Sequence, residues 1–251
     1  MATQHAIGID VGGTGIKGAI VDLATGALLS ERRKVRTPDG GKPADILTAA
    51  TELLETIGGD GDIEGLVLGV CFPAIVKRGR TLSAANISDE WIGLPAEELF
   101  EQSLGRDIHF VNDADAAGIA EMRFGAAKDV DGLVILTTLG TGIGSAFLYD
   151  GVLIPNTELG HLELDGDDAE HRAAYSAMER EELSWEQWSE RLQRYYAHVE
   201  FLFSPDLFVV GGGVSKHQEH FLPRLDMKTP IVPAVHRNNA GIIGAAALAL
   251  D

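Results

Sequence analysis

The sequence is short of cysteine, of basic residues and of long apolar runs, and each shortage closes off a class of protein. A single cysteine, Cys71, stands among 251 residues, so no disulfide can close within the chain and no multi-cysteine metal site can form. It lies in the apolar run 65–72, where a lone thiol reads as a small buried hydrophobe. Lys and Arg number 20 against 38 Asp and Glu, a formal net charge of -18. That excess argues against non-specific nucleic-acid binding and against attachment to an anionic membrane, both of which need a basic face. No stretch approaches the ~18 apolar residues of a membrane span. The opening MATQHAIGID also lacks the basic and apolar regions of a secretory signal. A cytoplasmic protein is the expectation.

What is present is an ordinary globular composition, 45% hydrophobic and 23% charged. Periodicity and turn residues predict strands over 5–11, 18–21 and from residue 28 onward. A helix over 44–57 would bury Ile46, Leu47, Ala50, Leu53, Leu54 and Ile57. A strand over 65–72, a short helix over 95–104 with Pro95 at its start, a strand over 108–111 and a helix over 114–124 follow. Residues 133–153 repeat the opening pattern of strand, glycine turn and strand, then an Asp150-Gly151 hairpin signal and a further strand. Ser184 and Gln187 form a capping-box pair ahead of a helix burying Trp188, Leu192, Tyr195, Val199 and Phe203, which Pro205 ends. A strand over 207–210 enters three glycines, and an apolar helix spans 240–250.

The repetition is the informative feature. Gly13-Thr14-Gly15-Ile16 returns letter for letter as Gly140-Thr141-Gly142-Ile143, with apolar strands on both sides and Ala19 answering Ala146. Two similar lobes, each with a glycine turn between strands, are expected to face one another across a cleft.

Gly13 to Gly18 also satisfies G-x-G-x-x-G. The dinucleotide fold requires the last glycine to open a helix, with an acidic residue about 20 positions on. Here the last glycine opens a strand, and no Walker A spacing occurs anywhere. A strand–turn–strand loop can instead cradle phosphate through converging backbone N–H groups. Thr14 and Thr141 would add hydroxyls and Lys17 a cation, against the plainer alternative of two ordinary hairpin turns.

Asp10 ends a buried strand beside the first turn, where a carboxylate is costly without a partner. Mg²⁺, directly or through water, is one partner, and capping of its own turn is the other. Asn112-Asp113 follows a strand and precedes a helix, so Asp113 could be an N-cap, a proton acceptor for a hydroxyl, or both. Glu158, His161, Asn86 and Asn112 are the planar polar groups with which a polyol would be held.

The stretches IGIDVGGTGIKGA (7–19), FVNDADAAGIAE (110–121), LTTLGTGIGSA (136–146), ELGHLEL (158–164), LFVVGGGVS (207–215) and NNAGIIGAA (238–246) run through nearly the whole chain. Together they resemble the repressor/open-reading-frame/kinase (ROK) family, in the sugar-kinase branch of the actin–hexokinase superfamily, and most of all its polyphosphate-using glucokinases. The resemblance implies an α/β, two-lobed, actin-like (ribonuclease H-like) ATPase fold with an internal duplication and a central cleft. The lobes would be residues 1–113 with a C-terminal helix at about 239–251, the smaller, and 114–238, the larger. It implies a kinase acting on the 6-hydroxyl of glucose, with mannose as a further acceptor, ATP and/or polyphosphate as donor, Mg²⁺ as cofactor, and a homodimer. The alternatives are an ATP-only hexose kinase of the same fold and a catalytically silent sugar-binding protein. By the same resemblance Asp113 is the general base, and Asn86, Asn112, Glu158 and His161 hold the sugar. Asp10, Gly12, Gly13, Thr14 and Lys17 form the first phosphate segment, Gly140 and Thr141 the second, and Gly211, Gly212 and Gly213 meet adenosine.

Two basic clusters stand against the acidic background, Arg32-Arg33-Lys34 with Arg36 and Lys77-Arg78 with Arg80. A polyphosphate chain would need such cations, and the second cluster, close in sequence to Asn86, is the stronger candidate for a track. The family pattern also has a departure here: the C-x-C-G-x-x-G-C zinc loop that follows its Gly-His pair is missing, because residues 162–172 hold no cysteine. The sugar-binding glutamate that ends that loop is then Glu170 or Glu179. We therefore expect no structural zinc. Elemental analysis of untagged protein after chelation should find zinc well below one equivalent, and stoichiometric zinc would contradict the expectation.

Overall fold

A computed structural model describes residues 5–250. The chain divides into two compact units, Met1–Ala120 with Asn239–Asp251 and Glu121–Asn238. The sequence reading ends its first lobe at residue 113. The observed division places residues 114–120 in the first unit, and makes that unit the longer of the two.

In the first unit the elements are β1 (His5–Gly12), β2 (Gly15–Asp22), β3 (Arg33–Val35), α1 (Pro43–Asp60), β4 (Val67–Phe72), the short strands β5 (Val76–Lys77) and β6 (Arg80–Thr81), α2 (Ala96–Leu104), β7 (His109–Asn112) and the start of α3 (Asp113–Phe124). The sheet order is β3-β2-β1-β4-β7, antiparallel across the two hairpins and parallel from β1 to β7. Pro43 opens α1, where its missing N–H costs nothing. The 3.6-residue period then buries Ile46, Ala50, Leu53, Leu54 and Ile57 against Ile7, Ile9, Val70 and the aromatic group Phe72, Trp91, Phe100 and Phe110. The third strand starts later than residue 28. Leu28 makes only an isolated bridge to Val21, and Ser30 Oγ accepts the Ile20 N–H at 3.0 Å in place of a backbone carbonyl. That side chain interrupts the ladder until Arg33.

The C-terminal helix (Ala240–Leu248) belongs to this unit and is buried nearly all round. Glycines allow it to lie directly on the sheet. A Cβ on Gly8 would collide with the carbonyl oxygen of Ile242, and one on Gly69 with that of Ala245.

The second unit carries β8 (Leu133–Leu139), β9 (Ile143–Tyr149), β10 (Val152–Ile154), β11 (Glu163–Leu164), β12 (Asp167–Asp168), α4 (Ala169–Ala173), α5 (Tyr175–Arg180), α6 (Trp185–Phe203), β13 (Leu207–Gly211) and β14 (Ile231–Pro233). Its sheet order, β10-β9-β8-β13-β14, repeats that of the first unit, with the same directions. The repeated sequence is therefore a repeated topology. Asp150 and Gly151 both take positive φ, as a two-residue hairpin turn requires. The Ser184–Gln187 capping box forms. Trp188, Leu192, Tyr195 and Val199 are buried as expected. Phe203 is not: at the last residue of α6 it is 39% exposed and touches Phe147 edge-on.

Among the described residues, no helix is long and apolar enough to cross a membrane. Because the Cβ of Gly69→Ala meets backbone and not a movable side chain, the helix itself must shift. Chemical denaturation should show a loss of about 2 kcal/mol or more.

Candidate active site

The first glycine turn is a tight connection: Gly12 pairs with Gly15, leaving Gly13 and Thr14 as an exposed tip. Thr37 Oγ1 donates to the Gly12 carbonyl and ties the base of the turn to the segment after β3. Gly13 lies so close to Asn86 that a Cβ there would stand 2.8 Å from the Asn86 Cβ. Asn86 itself holds a left-handed backbone, φ 62°, which asparagine tolerates better than most residues. A cavity of about 390 Å³ opens here, lined by Gly13, Thr14, Arg36, Thr37 and Asn86 among others.

Asp10 does not cap its own turn. It pairs with Lys17, its cross-strand neighbour, at 3.0 Å, their side chains 15% and 21% exposed. Lys17 is thus partly neutralised before any anion arrives. Cys71 Sγ donates from β4 to Asp10 Oδ1 at 3.7 Å and to the Gly241 carbonyl at 3.5 Å. Burial, and then the carboxylates of Asp10 and Asp113, push the Cys71 thiol well above its ordinary range, so it remains protonated.

At the start of α3 the duties divide cleanly. Asn112 is the cap: its Oδ1 accepts the N–H groups of Ala114 (2.8 Å) and Asp115 (3.1 Å), while its Nδ2 donates to the Ala74 carbonyl at 2.9 Å. The resemblance assigns Asn112 to the sugar, yet its side-chain oxygen is committed to the helix and a single amide N–H is left over. Asp113 is therefore not needed as the cap, although one of its oxygens accepts the N–H of Ala114 at 2.8 Å. It is half-buried in the first turn of α3.

The second glycine turn, in the other unit, is one residue longer, since Leu139 pairs with Ile143. Its carbonyls are tied by Ser176 of α5, whose N–H donates to Gly140 O (3.0 Å) and whose Oγ donates to Thr141 O (2.6 Å). Thr141 is exposed at the tip, as Thr14 is in its own turn. Gly212, at φ 83°, packs against the backbone of Leu139, which brings Gly211, the last residue of β13, and the two glycines after it beside this turn. Glu170 accepts the Ile143 N–H at 3.0 Å from the same side.

Glu170 also joins Glu158 and His161 in one electrostatic group. Burial raises the Glu158 carboxyl above its usual range; His161 opposes that shift and Glu170 adds to it. The hydrogen bond between His161 Nδ1 and Asp168 Oδ2, 2.9 Å, raises the imidazole, and Glu170 and Glu158 push the same way against partial burial. Of the two glutamates left open by the sequence, Glu170 is the one in this group; Glu179 lies exposed on α5. Where the family carries its zinc loop, this chain has the small β11–β12 hairpin. Hydrogen bonds and ion pairs brace it, His161 to Asp168, His171 to Asp167 and Arg194 to Asp165.

Sequence reasoning missed Thr37 and Ser176, because a lone hydroxyl residue distant in sequence gives no signal of which carbonyl it will reach. It also missed Glu121, 1% exposed, whose carboxylate accepts the N–H groups of Ala126, Val235 and His236 and so serves structure. His217, Glu219 and His220 form a group whose ligand atoms lie within 4.8 Å of one another, on the short helical segment that begins at Gly213.

The His161–Asp168 bond has a measurable consequence. A folded value above the ordinary one means that the pair's stabilisation is complete below the unfolded value and is lost as pH rises through the folded one. The NMR titration midpoint of His161 should lie above about 6.5, and Asp168→Asn should lower it. An unmoved midpoint would mean that the bond does not control the imidazole.

The ROK family model matches residues 6–173 and 167–251. The chain is 45% identical over 244 residues to a polyphosphate glucokinase of Mycobacterium tuberculosis, covering 97% of this chain and 90% of that one. It superposes on the inorganic polyphosphate/ATP-glucomannokinase of Arthrobacter sp. strain KM with a TM-score of 0.95 and 51% identity, over 98% of each chain. A ROK family glucokinase of Streptomyces griseus, solved with glucose and AMPPNP, gives a TM-score of 0.82 and 25% identity, over 97% of this chain and 98% of the other. With two sheets of one topology, a glycine turn in each and these full-length likenesses, the chain has the actin-like ATPase fold and belongs to the ROK family.

Proposed function

We propose that the protein is a kinase that transfers a phosphoryl group from inorganic polyphosphate or ATP to the 6-hydroxyl of glucose, with mannose as a second acceptor. The observation that carries the reading is the pair of tied glycine turns, one in each unit, in a chain so similar to a polyphosphate/ATP-glucomannokinase. In each turn a distant hydroxyl residue engages carbonyl oxygen, Thr37 in one and Ser176 in the other. In the second turn the Gly140 N–H is taken by the Gly142 carbonyl at 3.0 Å, so the exposed tips offer their remaining N–H groups and the threonine hydroxyls to phosphate.

Asp113 accepts the proton of the 6-hydroxyl as the sugar oxygen attacks the terminal phosphorus. The bond from that phosphorus to the donor breaks, and its electron pair leaves with the shortened polyphosphate or ADP. Glu158, His161 and Glu170 hold the ring hydroxyls, together with Asn86 and the remaining N–H of Asn112. Gly211, Gly212 and Gly213, at the end of β13, receive adenosine when ATP is the donor. Catalysis is then positioning and charge stabilisation around an in-line transfer.

Asp10 beside the first turn suits Mg²⁺, which commonly takes one or two carboxylates, phosphate oxygens and several waters. Held through Asp10 and the donor, the ion would offset phosphate charge. A homodimer and a cytoplasmic location are parts of the same reading, the first open to light scattering.

A donor-by-sugar activity matrix on purified protein tests the proposal. Polyphosphate and ATP should both support glucose phosphorylation. Activity with ATP alone would favour the ATP-only kinase, and none with any pair the silent sugar binder. Asp113→Asn should keep the fold, since Asn112 caps α3, and lose about 10²–10⁴-fold in kcat. Near-normal kcat would remove Asp113 from the chemistry.

A further inference from the structure

A polyphosphate chain presents a problem that ATP does not. It extends past the phosphates held at a turn as a long polyanion, and a protein of charge -18 repels it. Local cations must receive the extension, and they must be free of tight carboxylate partners. Lys17 is not free, being paired with Asp10. Lys77, Arg78 and Arg80, the cluster favoured by sequence position, lie on the β5–β6 hairpin. Its Arg78-Gly79 turn is fastened to α2 by the bond from Glu97 N–H to Gly79 O, 3.0 Å, and none of the three lines the cavity beside the first glycine turn.

In the other cluster Arg33 pairs with Glu31 at 3.1 Å, but Lys34 and Arg36 meet both demands. Arg36 lines that cavity with Gly13 and Thr14. It pairs with Asp39, 2.7 Å away, with both side chains more than four-fifths exposed; such a pair is worth little and is readily exchanged. Lys34 stands on the edge strand β3, opposite Lys17 in register. Its side chain is exposed yet folds back along the hairpin. It lies across Gly15, with Nζ 3.4 Å from the place a Cβ of Gly15 would occupy. Among the described residues no carboxylate forms an ion pair with Lys34. Edge strands often carry Lys and Arg merely as protection against aggregation. A lysine folded over the glycine turn, and an arginine on the wall of the cavity beside it, go beyond that role.

We propose that Lys34 and Arg36, with the cavity between Thr14 and Asn86, form a subsite for the phosphates of an inorganic polyphosphate chain that lie beyond those bound at the first glycine turn. The proposal rests on the reading of that turn as a phosphate cradle. The subsite makes no demand on ATP, whose triphosphate ends in adenosine. It therefore affects donor preference and leaves the transfer step alone, and its strength depends on salt because both cations are exposed.

The test is steady-state kinetics of wild type, Lys34→Ala/Arg36→Ala and Lys77→Ala/Arg78→Ala/Arg80→Ala with long-chain polyphosphate, tripolyphosphate and ATP across a salt series. Wild-type activity with polyphosphate checks the underlying reading; its absence would overturn that reading and the subsite together. Given that activity, the double variant should raise KM for long polyphosphate about tenfold, the scale of losing charge-assisted hydrogen bonds. Its plot of log KM against log salt should flatten by about 0.7 for each phosphate left without its cation. KM for ATP and kcat with either donor should stay near wild type, which also shows that the variant is folded. Tripolyphosphate should lose less than the long chain, and the triple variant should behave like wild type. An unchanged KM for polyphosphate, an equal rise for ATP, or an equal loss in the triple variant would overturn the subsite while leaving polyphosphate as donor.

Discussion

The close seating of the C-terminal helix on β1 and β4 is the contact on which the first site depends. The helix can approach because Gly8 and Gly69 offer no side chain where its backbone passes. Its first residues then reach the end of β1. Gly241 is so near that a Cβ there would stand 3.0 Å from Asp10 Cγ and 3.1 Å from Cys71 Sγ. Asp10 is consequently held from three directions, by Lys17 across the hairpin, by the thiol of Cys71 and by the amino end of a helix, whose dipole favours negative charge. These contacts fix the carboxylate beside the glycine turn. The lone cysteine, buried and held protonated, contributes packing and a weak hydrogen bond.

Duplication supplied two sheets of one topology, but the two turns have diverged in the details that matter to an anion. The first closes over two residues and the second over three, although their tetrapeptides are identical. Different residues also grip each base. Thr37 reaches the first turn from the segment after β3, whereas Ser176 and Glu170 reach the second from α5 and α4. Identical letters therefore produce two different cradles.

Much of the fold was legible because its signals are local. Alternating apolar residues marked β1, β8 and β13, the capping box marked α6, and the repeated glycine tetrapeptide marked the duplication. The two glycine turns, and the place of Asp113 at the start of α3, were legible for the same reason. The remainder depends on tertiary contacts that spacing cannot encode. Nothing in Asn112-Asp113 says which of the two will cap α3; that is settled by Ala74, 38 residues away, which holds the Asn112 amide in place. Glu170 and Glu179 are equally acidic as letters, and only the return of α4 beneath the second turn separates them. The late start of β3 turned on a single Ser30 hydroxyl taking a ladder position.

The acidity of the molecule and the anionic nature of its proposed donor are compatible because the two act over different distances. Exposed charges separated by more than about 8–10 Å hardly feel one another at physiological ionic strength. Net charge therefore governs solubility and the approach of a polyanion, while binding is decided within a few ångströms by N–H groups, hydroxyls and unpaired cations. The first glycine turn concentrates these: two exposed tip residues, a lysine compensated by Asp10, and two further cations not tightly held. An acidic background discourages polyanions from binding elsewhere on the surface, so a small basic subsite gains selectivity from the repulsion around it. The scarcity of Lys and Arg then becomes a reason to ask what each local group of them does, and the pair over the glycine turn has a substrate-sized cavity beside it.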